Sequence, residues 1–209
     1  MIGRRGEKNA ATLEFDRTVC ETLSDGAEPE YGIVEGDASI VLIKSGRGGD
    51  ARGEDGKYVK MARRLSQASG CTVICSPNPT DCTVTYPTDR RVIETYAAQK
   101  GFSDFSLSLI GSSNGAYQNL FLAEQMPKTQ ALLCINMPLM VNYHRTVSLL
   151  DGMRQIKKVF VYGTRDPSCP YVRFLEHRRL PACEILLIED ADHCFTGQLD
   201  QFVALADLL

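Results

Sequence analysis

The sequence predicts an α/β protein: an open, mostly parallel twisted sheet with helices on both faces, stacked as three layers, α/β/α. Three observations predict it. Six short apolar runs recur between residues 39 and 188. Most are near-continuous rather than alternating, as in strands covered on both faces. The segments between them carry apolar residues at helical spacing, and several stop on glycine.

The start of the chain is the least regular part. Thr12 to Val19 and Tyr31 to Val34 read as an antiparallel entry to the sheet, with turns at Asp25-Gly26 and Glu35-Gly36-Asp37. The buried runs then follow as Ser39–Lys44, Cys71–Cys75, Phe105–Ile110, Ala131–Ile135, Lys158–Tyr162 and Glu184–Ile188. Tyr58, Met61, Ala62 and Leu65 form a helical stripe that Gly70 ends. Val92, Tyr96 and Ala97 form another, after Pro87-Thr88, that Gly101 ends. Phe195, Leu199, Phe202, Val203 and Ala206 read as the stripe of a last helix. Strand and helix alternating in this way argue for an open α/β sheet.

A chain of 209 residues is long enough for one buried core, so residues 1–209 are expected to form a single domain. Hydrophobic residues make up 44% and charged residues 23%, with a formal net charge of -3 and the two signs interspersed. That balance points away from nucleic acid and anionic membranes as partners. No apolar stretch approaches the ~18 residues of a membrane span. Arg4 and Arg5 are followed by polar residues rather than the apolar core of a secretion signal, so the expected location is cytoplasmic. The eight cysteines, at 20, 71, 75, 82, 134, 169, 183 and 194, include no C-x-x-C pair. Cys71, Cys75, Cys134 and Cys183 lie in or beside apolar runs, where a thiol behaves as a small hydrophobe. Reduced thiols are expected, and no metal site.

The chemistry centres on Leu107–Leu120, LSLIGSSNGAYQNL, where a strand runs into Gly111-Ser112-Ser113-Asn114-Gly115 and a helix starts at once. This is G-x-S-x-G between strand and helix. A serine on so tight a turn projects its hydroxyl clear of the backbone, and the residues two before and two after it come too close for side chains. The helix that follows aims its free N–H groups at a developing negative charge. The plainer alternative is that Ser112, Ser113 and Asn114 only cap a helix.

A serine hydroxyl needs a base within hydrogen-bond reach and an acid to orient that base. His193, in EILLIEDADHCF, follows the last strand, at the strand end where functional groups of such sheets collect. His144 and His177 sit in polar helical contexts and read as surface residues. Asp166, in KVFVYGTRD, ends the loop after the preceding strand; Asp190 and Asp192 are rivals, and Asp166-Pro167 also reads as a turn start. The N–H of Asn114 is the first candidate oxyanion donor. The second belongs to the loop in SIVLIKSGRGGD, where Gly46, Gly48 and Gly49 let substrate approach the backbone. The N–H of Arg47 comes first there and that of Gly48 second, with Gly46 and Gly48 as substrate-contacting positions. The loop lacks the Lys-Ser/Thr ending of a nucleotide-binding P-loop.

With these residues in order, the chain from about residue 39 to 209 resembles the α/β-hydrolase superfamily. The matching features are the GSSNG elbow, the aspartate in GTRDP and the histidine in DADHCF. The resemblance implies Ser113 as nucleophile, Asp166 as acid and His193 as base, in the family's chain order. It implies acyl transfer on a small ester or thioester, without cofactor. Two features depart from the family. Ser45-Gly46 stands where many members have His-Gly, and Pro138–Ile156 leaves room for a loop and one helix but no large lid. Small carboxylesterases, thioesterases and dienelactone-hydrolase-like enzymes are similar in these respects, although dienelactone hydrolases use a cysteine. A non-catalytic binding module and a serine peptidase or amidase remain the alternatives on this fold.

Overall fold

A computed structural model describes residues 13–23, 25–79 and 84–209. Thr12, Cys82, Arg4 and Arg5, used above, lie outside them. The strands are β1 (Arg17–Cys20), β2 (Glu30–Val34), β3 (Asp37–Lys44), β4 (Cys71–Ser76), β5 (Ser106–Ser112), β6 (Thr129–Ile135), β7 (Lys157–Gly163) and β8 (Cys183–Ile188). They form one eight-stranded sheet in the order β1-β2-β4-β3-β5-β6-β7-β8. β1 pairs with β2 and β2 with β4 antiparallel, as expected for the entry to the sheet. From β4 to β8 every pairing is parallel.

The helices are α1 (Lys57–Ser69), α2 (Tyr86–Lys100), α3 (Asn114–Gln125), α4 (Tyr143–Gly152), α5 (Val172–Arg178) and α6 (Leu199–Ala204). Strand alternation sorts the core into two layers. Ile40 and Leu42 of β3 face α2, α3, α4 and α5, while Val41 and Ile43 face α1 and α6. Gly70 (φ 74°) and Gly101 (φ 72°) end α1 and α2 in the left-handed conformation their missing Cβ allows. Cys71 and Cys75 share one core layer, Cys134 lies in the other, and the described cysteines are free thiols. Burial pushes the Cys134 thiol up to about 12. Among the described residues, no helix is long and apolar enough to cross a membrane.

The structure corrects two sequence readings. β5 does not stop at Ile110 but continues through Gly111 and Ser112, because both pair with β6 and Gly111 also pairs with Lys44 of β3. The last helix is shorter than its stripe: α6 covers Leu199–Ala204, a 3₁₀ turn follows at Leu205–Leu208, and Phe195 sits before it with φ 59°. The stripe recorded burial, since Phe195, Phe202, Leu205 and Ala206 are all buried together, and not continuous helix.

Chain direction creates the cleft. After β3 the chain turns to α1 on one face; after the adjacent β5 it turns to α3 on the other. Adjacent strands whose connections leave on opposite faces open a crevice at their carboxyl ends.

Candidate active site

Ser113 stands in this crevice between β5 and α3. Its backbone is at φ 53°, ψ -124°, a costly conformation for a residue with a side chain. Two contacts show why glycine flanks it. A Cβ on Gly111 would lie 2.4 Å from the backbone nitrogen of Ala116, and one on Gly115 would lie 2.3 Å from the Ser45 carbonyl oxygen. Those neighbours are backbone and cannot swing aside. The Ser113 N–H donates to the Ile135 carbonyl at 2.8 Å, tying the turn to β6.

The imidazole of His193 joins two distant groups. Its Nε2 is 2.9 Å from Ser113 Oγ, and its Nδ1 is hydrogen-bonded to Asp166 Oδ2. The Asp166 side chain is fully buried and that of His193 is 44% exposed. The other Asp166 oxygen accepts the Ser168 N–H at 2.7 Å. The hydrogen bond to Asp166 raises the His193 pKa above its usual 6.5, against desolvation and the positive charge of Lys57, which lower it. Asp192 is otherwise engaged: its Oδ1 accepts the N–H groups of Cys194 and Thr196 and closes the turn after the histidine. Asp190 is exposed. His144 and His177 lie exposed on α4 and α5. These three sequence-predicted groups therefore meet, and their rivals do not.

The glycine loop lies over the serine. A Cβ on Gly46 would lie 3.4 Å from Ser113 Cβ. Gly46, Arg47, Gly48 and Gly49 line an open cleft of about 460 Å³ with Gly53, Glu54, Lys57, Tyr58, Ser112, Ser113, His193 and Cys194. Gly48 as an alternative oxyanion donor is corrected here: its N–H donates to the Asn78 carbonyl at 2.6 Å. Among the described residues, the N–H groups of Arg47 and Asn114 have no partner within the chain. Burial pushes the Tyr58 hydroxyl up to about 12, so this cleft wall is a neutral phenol.

Three sets of polar residues that sequence reasoning missed support the site. Asn136, at the end of β6, donates from Nδ2 to the carbonyls of Asp192 and His193 at 3.1 and 3.0 Å, while its Oδ1 accepts the Gly163 N–H at 2.9 Å. It fastens the histidine loop to β7. Asn78 donates from Nδ2 to the Ser45 carbonyl and to Asn114 Oδ1, both at 3.1 Å. Its own N–H donates to the Gly49 carbonyl, and Gln118 Nε2 donates to Asn114 Oδ1 at 2.9 Å. This chain of amides joins the glycine loop to the residue after Ser113. Beneath them, Lys44 Nζ and Asp89 Oδ2 form a fully buried ion pair at 2.6 Å, with Ser76 and Tyr31 hydroxyls donating to Asp89 Oδ1. The available signals were faint: a lysine ending the apolar run SIVLIK, and asparagines just past ALLCI and CTVICS.

Neither a protein-family profile nor a curated protein matches the sequence. Solved structures do match the fold. An α/β serine hydrolase homologue from Coxiella burnetii is 18% identical over 93% of this chain and 98% of its own, with a TM-score of 0.70. A lidless α/β serine hydrolase from Xanthomonas campestris is 19% identical over 92% of each chain, with a TM-score of 0.66. Est1E from Butyrivibrio proteoclasticus is 14% identical over 91% of this chain and 96% of its own, with a TM-score of 0.65.

Proposed function

We propose that this chain, which has the α/β-hydrolase fold, is a serine hydrolase that cleaves a small ester or thioester through an acyl-enzyme. The observation that carries the reading is the unbroken contact from Asp166 through the His193 ring to the strained Ser113.

Each group has a role its surroundings support. His193 Nε2 takes the hydroxyl proton as Ser113 Oγ bonds to the carbonyl carbon. Asp166 holds the ring with Nδ1 protonated and stabilises the imidazolium that forms. The carbonyl oxygen becomes an oxyanion and receives the N–H groups of Asn114 and Arg47. His193 then gives its proton to the departing alkoxide or thiolate, and the carbon–heteroatom bond breaks. Water attacks the acyl-enzyme with His193 again as base, releasing the acid and restoring Ser113. This scheme draws on no metal or organic cofactor. A lining rich in glycine and polar side chains, with the Tyr58 phenol its one ring besides the His193 imidazole, suits a short acyl group.

A fluorophosphonate probe tests the reading, with Ser113→Ala as control, followed by a chain-length series of p-nitrophenyl esters. The expected result is labelling at Ser113 and turnover that falls as the acyl chain lengthens. Failure to label a folded protein would refute it and leave a binding module. Labelling with no ester turned over would shift the reading to an amidase or peptidase.

A further inference from the structure

We infer that the substrate carries a carboxylate a few bonds from its scissile carbonyl, and that Lys57 and Arg47 hold it. The inference rests on the serine-hydrolase reading and narrows its substrate class.

Two cations stand in the cleft. Arg47 is on the glycine loop over Ser113, and Lys57 is the first residue of α1, on the wall shared with His193 and Cys194. Among the described residues, neither lies within 4.0 Å of a carboxylate oxygen. Cations close by in sequence do: Arg52 pairs with Glu14, Arg63 with Asp16, and Arg64 with Asp207. Of the cations without such a partner among the described residues, Arg47 and Lys57 are the two that line the cleft.

Lys57 is held in place without being neutralised. Its ammonium is 5.0 Å from the centre of the Phe202 ring and 5.5 Å from that of Tyr58. Ring faces attract a cation, yet leave its full charge to act on a third group. Half-burial thins the water around it, which strengthens that action. Its charge reaches the reacting centre, since it opposes protonation of His193. Glu54 lines the same cleft, so a cationic substrate is the competing outcome. Two cations against one carboxylate, with Arg47 on the loop that also holds a candidate oxyanion donor, favour the anion.

The test compares esters of similar size that differ in charge, each enzymatic ratio divided by the ratio of the two esters' uncatalysed hydroxide rates. p-Nitrophenyl hemisuccinate against p-nitrophenyl butyrate places the charge on the acyl side. 4-Acetoxybenzoate against its methyl ester places it on the leaving side. A p-nitrophenyl ester bearing a trimethylammonium group supplies the cationic arm. The expected result at low ionic strength is kcat/KM about 10-fold higher for the anion in one of the two pairs, with the cation below neutral. That ratio shrinks as salt contracts the Debye length from ~30 Å at 0.01 M toward ~8 Å at 0.15 M. Lys57→Met and Arg47→Met each lower the anionic-to-neutral ratio by about threefold or more, and Lys57→Arg restores it. The readout is a ratio within one protein, so loss of overall activity or stability does not imitate it. Equal constants for anionic and neutral esters in both pairs, or preference for the cation, would overturn the inference while leaving the hydrolase intact. Absence of fluorophosphonate labelling in the wild type removes both.

Discussion

Asn136→Ala tests how far the candidate site depends on a residue that touches no reacting atom. Asn136 is fully buried, sits at φ 47°, and makes three side-chain hydrogen bonds, two of them to the carbonyls of Asp192 and His193. Each bond contributes about 1 kcal/mol net. Alanine tolerates the left-handed backbone less well than asparagine, by about 1 kcal/mol. The sum is about 4 kcal/mol, and for a chain of this size ~2–4 °C per kcal/mol gives a Tm lower by about 8–16 °C. Loss of the two bonds also frees the loop that carries His193. A displacement of about 1 Å at a catalytic base costs on the order of 10²-fold in rate, so kcat falls with KM little changed. Asn136→Asp separates the causes. It keeps the acceptor for the Gly163 N–H and tolerates the backbone, but sets a carboxylate oxygen against the Asp192 and His193 carbonyls. Its kcat is expected to fall as far as that of the alanine variant, with a smaller loss of Tm. Calorimetry and ester turnover check both. An alanine variant with kcat within threefold of wild type and a Tm loss under about 4 °C would refute the reasoning.

Other perturbations follow from the same contacts. Asp166→Asn is expected to lower kcat by about 10⁴-fold. The kcat/KM profile of the wild type rises with pH through a His193 pKa above 6.5, because the base is the neutral ring; in the variant that limb moves down, since the contribution raising it is gone. The stability effect has the opposite sense. A pKa raised on folding stabilises fully below the unfolded value near ~6.5 and is lost as pH rises through the folded one, so the Tm advantage of wild type over Asp166→Asn narrows as pH rises through that interval. Asn78→Ala is expected to slow fluorophosphonate labelling and kcat by about 10²-fold, as for a lost oxyanion donor, without moving the pH limb; labelling kinetics at several pH values check it. Asp89→Asn removes the carboxylate charge 2.6 Å from buried Lys44 and is expected to cost about 3–5 kcal/mol by chemical denaturation, whereas Lys44→Met with Asp89→Leu recovers most of that loss.

Much of this protein was legible in its sequence because the requirements behind it are local. A strand covered on both faces must be apolar throughout, and SIVLIK, CTVIC and ALLCI say so. A serine at φ 53° on a turn where a Cβ two residues before or after it would lie 2.4 or 2.3 Å from backbone atoms needs Gly111 and Gly115, and GSSNG records that need. The chain order of Ser113, Asp166 and His193 follows from which strand ends precede them. Tertiary structure decided the rest, because a hydrogen-bond partner leaves no mark on spacing. The Asn136 contact to His193 spans 57 residues and the Asn78 contact to Ser45 spans 33, so nothing near either asparagine in the sequence marks it. The N–H of Gly48 looked free until Asn78 was found against it. Nothing in the sequence marks Lys57; the fold sets it in the cleft with His193. Apolar pattern and backbone sterics act along the chain and are written there; polar pairing acts across space, and only the folded sheet brings the pairs together.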